Sequence, residues 1–158
     1  MQIESLSPEL IERCLDARGW RFYRGGDGKD FLVLFGAEHG TLQVNVRISG
    51  SRGDVLVVSV SPGVNYPAAE RARLMELVND WNRDTHWPKA FVRETSTPDK
   101  VGVVGENSYP VRDGIHVEAL TDFIGRTVSC GADLFDKINE AISLPSAQTL
   151  EHWLDRTA

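Results

Sequence analysis

The sequence predicts an α+β fold in which an antiparallel β-sheet packs with three main helices. Three observations lead to it: an amphipathic helical pattern near the start, several strand-like runs joined by short turns, and no regular alternation of single strands with helices. The patterns follow in the order α-β-β-β(-β)-α-β-β-α. We therefore expect a β-meander and then a β-hairpin, with helices before, between and after them.

The first helix is predicted over about residues 8–18. Ser7 offers a side-chain acceptor at the N-cap, and Pro8 presets φ in the first turn. Leu10, Ile11, Cys14 and Ala17 make one apolar face. Gly19 then ends the helix, as a left-handed residue just past the last turn would.

The meander is predicted from three strand-like segments. Residues 31–35 are an apolar run, residues 42–48 alternate apolar with polar side chains, and residues 55–60 are again apolar. A fourth strand-like segment, residues 20–24, alternates aromatic and basic residues. The short turns between these segments favour antiparallel pairing.

The second helix is predicted to open at Asn65-Tyr66-Pro67 and to end before Trp87-Pro88, because proline disfavours helical backbone in the residue that precedes it. Its apolar face consists of Leu74, Leu77, Val78 and Trp81. A row of acids, Glu76, Asp80 and Asp84, lies away from that face and is interpreted as solvated.

A β-hairpin over residues 90–95 and 101–109 precedes the third helix, whose apolar stripe runs from Val117 to Ile142. Gly131 falls on that stripe. It indicates either the close approach of another backbone or a break between two helices. Pro145 ends the region, and a short amphipathic tail is expected at about residues 146–158.

Composition limits the function classes. The 158 residues suit a single domain, residues 1–158, with 41% hydrophobic and 25% charged residues. A formal net charge of −6 argues against broad nucleic-acid binding. No basic and apolar leader opens the sequence, and no apolar run approaches the roughly 20 residues of a membrane span. We expect a cytoplasmic protein whose partners are neither nucleic acid nor membrane.

The two cysteines, Cys14 and Cys130, fall in apolar helical patterns. We interpret them as small packed hydrophobes in a reducing compartment, with Cys130 an inert thiol. A disulfide between them stays open, because sequence alone does not give their separation.

No chemical motif stands out. Gly25-Gly26-Asp27-Gly28-Lys29 lacks the spacing of a phosphate loop and is interpreted as a hairpin turn. The four histidines, His39, His86, His116 and His152, stand in no metal-ligand spacing. No Gly-x-Ser-x-Gly elbow occurs. We therefore predict no catalytic, cofactor-binding or metal-binding residue.

Two tryptophans are candidates for contact with a partner. Trp81 continues the apolar stripe of the second helix and is predicted to be core. Trp87, at the helix-to-strand corner, either covers an edge of the core or anchors a partner. Trp153, in the tail, either docks on the domain or forms an exposed binding segment.

The segment Val78-Asn79-Asp80-Trp81-Asn82-Arg83-Asp84-Thr85-His86-Trp87-Pro88-Lys89-Ala90 resembles the central signature of actinobacterial members of the YbjN family, described as sensory transduction regulators. The downstream residues that extend the resemblance are Ser108-Tyr109-Pro110, Asp113-Gly114, Leu120, Phe123, Asp133-Leu134-Phe135 and Ile138. The resemblance implies a fold similar to type III secretion chaperones, which bind extended client segments and dimerise. It transfers no catalytic residue.

The expected function is therefore a non-enzymatic, cytoplasmic protein-binding module, chaperone-like or regulatory, that can form a homodimer. An exposed sheet edge, which can accept a peptide strand, and the region around Trp87 are the predicted partner surfaces. Two alternatives stay open. One is a small-ligand sensor or unrecognised enzyme with a pocket between sheet and helices. The other is an assembly scaffold.

Overall fold

The structure is a computed structural model that describes residues 2–37 and 40–142. The α-helices are α1 (Pro8–Ala17), α2 (Arg71–Asp84) and α3 (Val117–Ala141), and a 3₁₀ turn (Ala68–Glu70) leads into α2. The strands are β1 (Ile3–Glu4), β2 (Tyr23–Arg24), β3 (Asp30–Ala37), β4 (Gly40–Ser49), β5 (Val55–Pro62), β6 (Tyr66–Pro67), β7 (Lys89–Glu94), β8 (Lys100–Pro110) and β9 (Ile115–His116).

Seven of these strands form one antiparallel sheet. The order is β2-β3-β4-β5-β8, with β7 on the far side of β8 and β6 continuing the line of β5 along β8. A separate ribbon pairs β1 with β9 and so ties the N-terminal segment to the start of α3. The predicted α+β class, with its meander, hairpin and three helices, is confirmed in this part of the chain.

The predicted start of the second helix is wrong. Tyr66 and Pro67 form β6, in which Tyr66 lies opposite Val101, and α2 begins only at Arg71. The ring of Tyr66 is completely buried. Pairing with β8 and burial of this ring therefore hold the segment extended where the sequence alone suggested a helix start.

The helices cover one face of the sheet. Along each strand alternate side chains enter the core, among them Phe31, Val44, Val58 and Val103. The apolar stripe of α2 is as predicted, with Leu74, Val78 and Trp81 buried and Leu77 half-buried. In α1 the predicted cap is present, since the amide of Leu10 donates to Ser7 Oγ at 3.2 Å.

The other face of the sheet, called here the open face, has no covering layer in the described part of the chain. Tyr23, Leu34 and Phe91 project from it and are 64%, 49% and 36% exposed. The domain is thus a two-layer sandwich, with the helices and the core on one side only. None of the described helices is both long and apolar enough to cross a membrane.

Gly131 marks a contact between helix and sheet. Because α3 is continuous from Val117 to Ala141, the predicted alternative of a helix break is wrong. A Cβ at residue 131 would lie 2.9 Å from the side chain of Val60 on β5. The close neighbour is therefore a strand side chain rather than another backbone.

We expect Gly131→Ala to lower the free energy of unfolding by about 1–3 kcal/mol, because the added methyl overpacks the α3–β5 contact. Gly125→Ala in the same helix is the matched control. The three atoms nearest to its Cβ belong to the guanidinium of the exposed Arg18, which can move aside with the loss of one exposed hydrogen bond to the carbonyl of Thr121. That variant should be neutral or gain up to about 1 kcal/mol from helix propensity. Urea unfolding of both variants checks this, and equal stabilities would contradict the contact.

Candidate functional site

Four residues lock the corner between α2 and β7. The indole N–H of Trp81 donates to the carbonyl of Pro88 at 2.8 Å. The side-chain amide of Asn82 donates to the carbonyl of Ala90 at 3.0 Å and accepts from the amide of Ala90 at 2.8 Å. We call Trp81, Asn82, Pro88 and Ala90 the corner clasp. It fixes where β7 starts and closes the outer edge of β7 at Ala90.

The far end of β8 has a free backbone edge. β7 begins with Lys89 opposite Glu106, whereas β8 continues to Pro110. On the opposite side, residues 105–110 are paired with β5. Within the described chain, residues 107–110 therefore have a strand neighbour on one side only.

A groove runs beside this free edge and encloses about 500 Å³. Its walls carry three aromatic side chains, Trp87, Tyr109 and Phe123, together with Ile115 and Ala119. Trp87 is 40% exposed and Tyr109 is 45% exposed, and the rings of Tyr109 and Phe123 lie 5.6 Å apart. We call this the aromatic groove. It joins an apolar surface to unpaired strand backbone.

The polar groups of the aromatic groove are engaged with one another. Asn107 Nδ2 donates to Thr127 Oγ1 at 3.2 Å, and that buried hydroxyl donates in turn to the carbonyl of Phe123 at 2.9 Å. At the rim, Arg126 pairs with Asp122 at 3.5 Å. The groove therefore offers apolar contact and strand backbone, and no cluster of uncommitted polar side chains.

Comparison with known proteins identifies the family of this chain. The profile of the YbjN family, described as "Putative bacterial sensory transduction regulator", matches residues 7–140. The chain belongs to the YbjN family. The predicted family is thereby confirmed, while its actinobacterial type stays a prediction. No curated protein matches the sequence.

Two of the solved structures that are similar to the chain come from E. coli and Methanothermobacter thermautotrophicus. A protein from E. coli, described as YbjN, a putative transcription regulator, superposes with a TM-score of 0.72 at 13% identity, covering 89% of this chain and 96% of that one. An uncharacterized protein from Methanothermobacter thermautotrophicus gives a TM-score of 0.54 at 12% identity, covering 87% and 100%. At these identities the likeness shows the fold alone.

The YbjN signature has a structural meaning, because it contains the whole corner clasp and Trp87. Trp87 is 40% exposed, and both interpretations of this residue, cover for an edge of the core and contact with a partner, stay open. Trp153 falls outside the described residues. Sequence reasoning did not assign Tyr109 or Phe123 to a site, although both stand in the downstream pattern that supported the family resemblance. The family pattern thus contained Tyr109 and Phe123, but it did not show that they would lie beside Trp87 in the fold.

The acidic row of α2 is solvated, as predicted. Glu76, Asp80 and Asp84 are all exposed. Arg83 bonds to Asp80 at 3.1 Å and to Asp84 at 2.9 Å. The hydrogen bond from Arg83 lowers the pKa of Asp84. Among the described residues no three histidine, cysteine or acidic side chains are grouped to hold a metal ion.

The two cysteines are both free, so the open alternative of a disulfide is wrong. Cys14 is buried as predicted, and burial raises the pKa of its thiol. Cys130 is only half-buried, so it is less enclosed than the packed thiol that the sequence suggested.

We expect Asn82→Ala to lower the free energy of unfolding by about 1–3 kcal/mol, because it leaves the amide and carbonyl of Ala90 without their partners. Asn79→Ala, an exposed asparagine of the same helix, should change stability by no more than about 0.5 kcal/mol. Urea unfolding compares the two. If both variants lose the same stability, Asn82 is not an anchor of the corner.

We expect Cys130 to be alkylated in the folded protein while Cys14 stays unmodified, because burial and a raised pKa both reduce the thiolate at Cys14. Peptide mass mapping after timed iodoacetamide treatment measures both sites. Cys130→Ser leaves Cys14 as the one thiol and should then react only as fast as the protein unfolds. Equal labelling of the two cysteines would contradict the buried site.

The raised pKa of Cys14 also predicts that the free energy of unfolding falls as pH rises past the ordinary thiol pKa, because the thiol of the unfolded chain then releases its proton more readily than the buried thiol does.

Proposed function

We propose that the domain is a non-enzymatic regulatory module that binds an extended segment of a partner protein in the aromatic groove. The observation that carries the proposal is the position of two exposed aromatic side chains, Trp87 and Tyr109, beside a strand end with one unpaired edge. Membership of a family described as sensory transduction regulators supports the regulatory part of the proposal.

A peptide strand would meet two kinds of surface here. Residues 107–110 extend over about 13 Å at the usual rise of a strand, enough for about four peptide residues. Backbone hydrogen bonds to this edge would hold the peptide whatever its side chains are. Every second peptide side chain would point to the aromatic walls, which favour an aromatic or branched aliphatic residue.

The corner clasp directs a strand to this end of the sheet. Asn82 occupies the outer amide and carbonyl of Ala90, so an added strand cannot pair with β7 there. The free edge of β8 follows Glu106, which lies opposite Lys89, the first residue of β7, and so it is next to Trp87. A peptide paired with residues 107–110 is therefore blocked from extending its pairing along β7 at Ala90.

A small apolar molecule could also fill about 500 Å³, as the sensor alternative requires. It would leave the backbone edge of residues 107–110 to water, whereas a peptide satisfies both the edge and the aromatic walls. The geometry therefore favours a peptide. Homodimer formation and a cytoplasmic location stay predictions from the sequence.

The test is selection of binding peptides from a displayed library of short random sequences, followed by affinity measurement on variants. We expect the selected peptides to carry alternating apolar residues and to lose about 30-fold in affinity on Trp87→Ala, since an aromatic anchor contributes about 2 kcal/mol. Hydrogen exchange at residues 107–109 should slow when the peptide is bound. Tyr23→Ala, an exposed aromatic outside the groove, is the control and should bind normally.

Three results would count against the proposal. They are a library that yields no binder, selected peptides that bind Trp87→Ala as tightly as the parent, and amides of residues 107–109 that show no added protection. Circular dichroism of Trp87→Ala separates loss of binding from loss of fold.

A further inference from the structure

A polar row crosses the open face of the sheet. Leu32, Asn45, Ser59, Glu106 and Lys89 stand in register on five adjacent strands. Neighbouring strands are about 4.8 Å apart, so Asn45 and Glu106 lie about 10 Å from each other along the row. The row therefore lines up hydrogen-bonding groups at the spacing of a small molecule.

All of the row except Lys89 lines a concavity of about 340 Å³. Phe91, Arg47 and Arg93 contribute to its walls. Arg93 packs over Gly102, where a Cβ would lie 3.0 Å from Arg93 Nε. Arg93 thus lies over a position that has no side chain, and its guanidinium borders the concavity.

One acceptor in the row has no partner. Asn45 Oδ1 is sealed from solvent and accepts no hydrogen bond within the described part of the chain. A buried polar atom left in this way is destabilising, and such atoms are uncommon in folded proteins. A ligand with a hydroxyl or N–H group would supply the missing donor once the Asn45 side chain turns Oδ1 toward the concavity that it lines.

The charges around the concavity are unbalanced toward the positive. Glu106, with its side chain only 17% exposed, is met by Lys89 at 3.2 Å, by Arg47 at 3.9 Å and by Ser59 Oγ at 3.4 Å. No carboxylate of the described residues lies within 4 Å of Arg93. Two arginines and one acid therefore line the concavity, on a chain whose net charge is −6.

Asp30, which stands opposite Arg47 in register, makes no ion pair with it. An exposed face of an antiparallel sheet is ordinarily polar, and scattered charges there need only water. The sealed acceptor and the largely buried Glu106 are not explained in that way. They indicate a site rather than a merely solvated surface.

We propose that the open face binds a small hydroxylated anion, such as a sugar phosphate or a sugar acid. Its anionic group would pair with Arg93, since a planar guanidinium group matches phosphate and carboxylate oxygens, and Arg47 lines the same concavity beside Glu106. Its hydroxyl groups would donate to Asn45 and Glu106. The apolar side of the sugar ring would lie against Phe91. This site is separate from the aromatic groove and does not depend on it.

The test is calorimetric titration at low ionic strength with four probes: glucose 6-phosphate, gluconate, glucose and inorganic phosphate. We expect glucose 6-phosphate or gluconate to bind at millimolar concentration. Glucose, which has no anionic group, and inorganic phosphate, which has no sugar ring, should each bind at least about tenfold more weakly. The relative affinities of the first two probes identify a phosphate or a carboxylate as the preferred anion. Amide NMR shifts should be confined to the strands around Asn45, Ser59, Arg93 and Glu106.

Arg93→Gln should weaken binding by about tenfold or more, because it removes the charge but keeps a similar length. Arg52→Gln, in the turn between β4 and β5, is the matched control and should bind as the parent does. The proposal is overturned if neither glucose 6-phosphate nor gluconate binds, if phosphate alone binds equally well, or if both arginine variants lose the same affinity. It is also overturned if sedimentation shows a dimer that Arg93→Gln dissociates, since the open face would then be covered by a second copy.

Discussion

The structure depends on the hydrogen-bonded clasp between α2 and β7. Trp81 holds the carbonyl of Pro88, and Asn82 holds both backbone groups of Ala90. Pro88 is buried against Gly105, where a Cβ would lie 3.0 Å from Pro88 Cγ and from Leu134 of α3. The clasp thus joins helix, corner, sheet and α3 in one place. It also decides where β7 begins, and hence how much of β8 is left with a free edge.

Covering the sheet on one side only has two consequences. On the helix side, apolar side chains from every long strand meet the helices in a single core. On the open face the strands carry hydrogen-bonding and charged side chains together with a few exposed apolar ones, so this face differs chemically from the apolar helix side. The two proposed sites share no lining residue, and the Lys89–Glu106 pair lies between them, at the end of the β7–β8 ladder.

Much of the fold was predictable because its signals are local. The Ser7 cap, the stripe of α2 and the alternation along β4 follow from residues close in sequence. The start of α2 was not predictable from local residues, because Tyr66 stays extended through pairing with Val101, a residue far along the chain. Gly131 was recognised as unusual, but only the packed structure identifies Val60 as its neighbour.

By itself the sequence determined the fold class, the family and the importance of the Trp81 to Ala90 segment, because periodicity, turn chemistry and a local motif carry that information. Only the tertiary structure decided what the segment does. The bonds of Asn82 to Ala90, the meeting of Trp87 with Tyr109 and Phe123, and the alignment of Asn45 with Glu106 all join residues from different elements. Strand register and helix docking set such distances, and no pattern within one element encodes them.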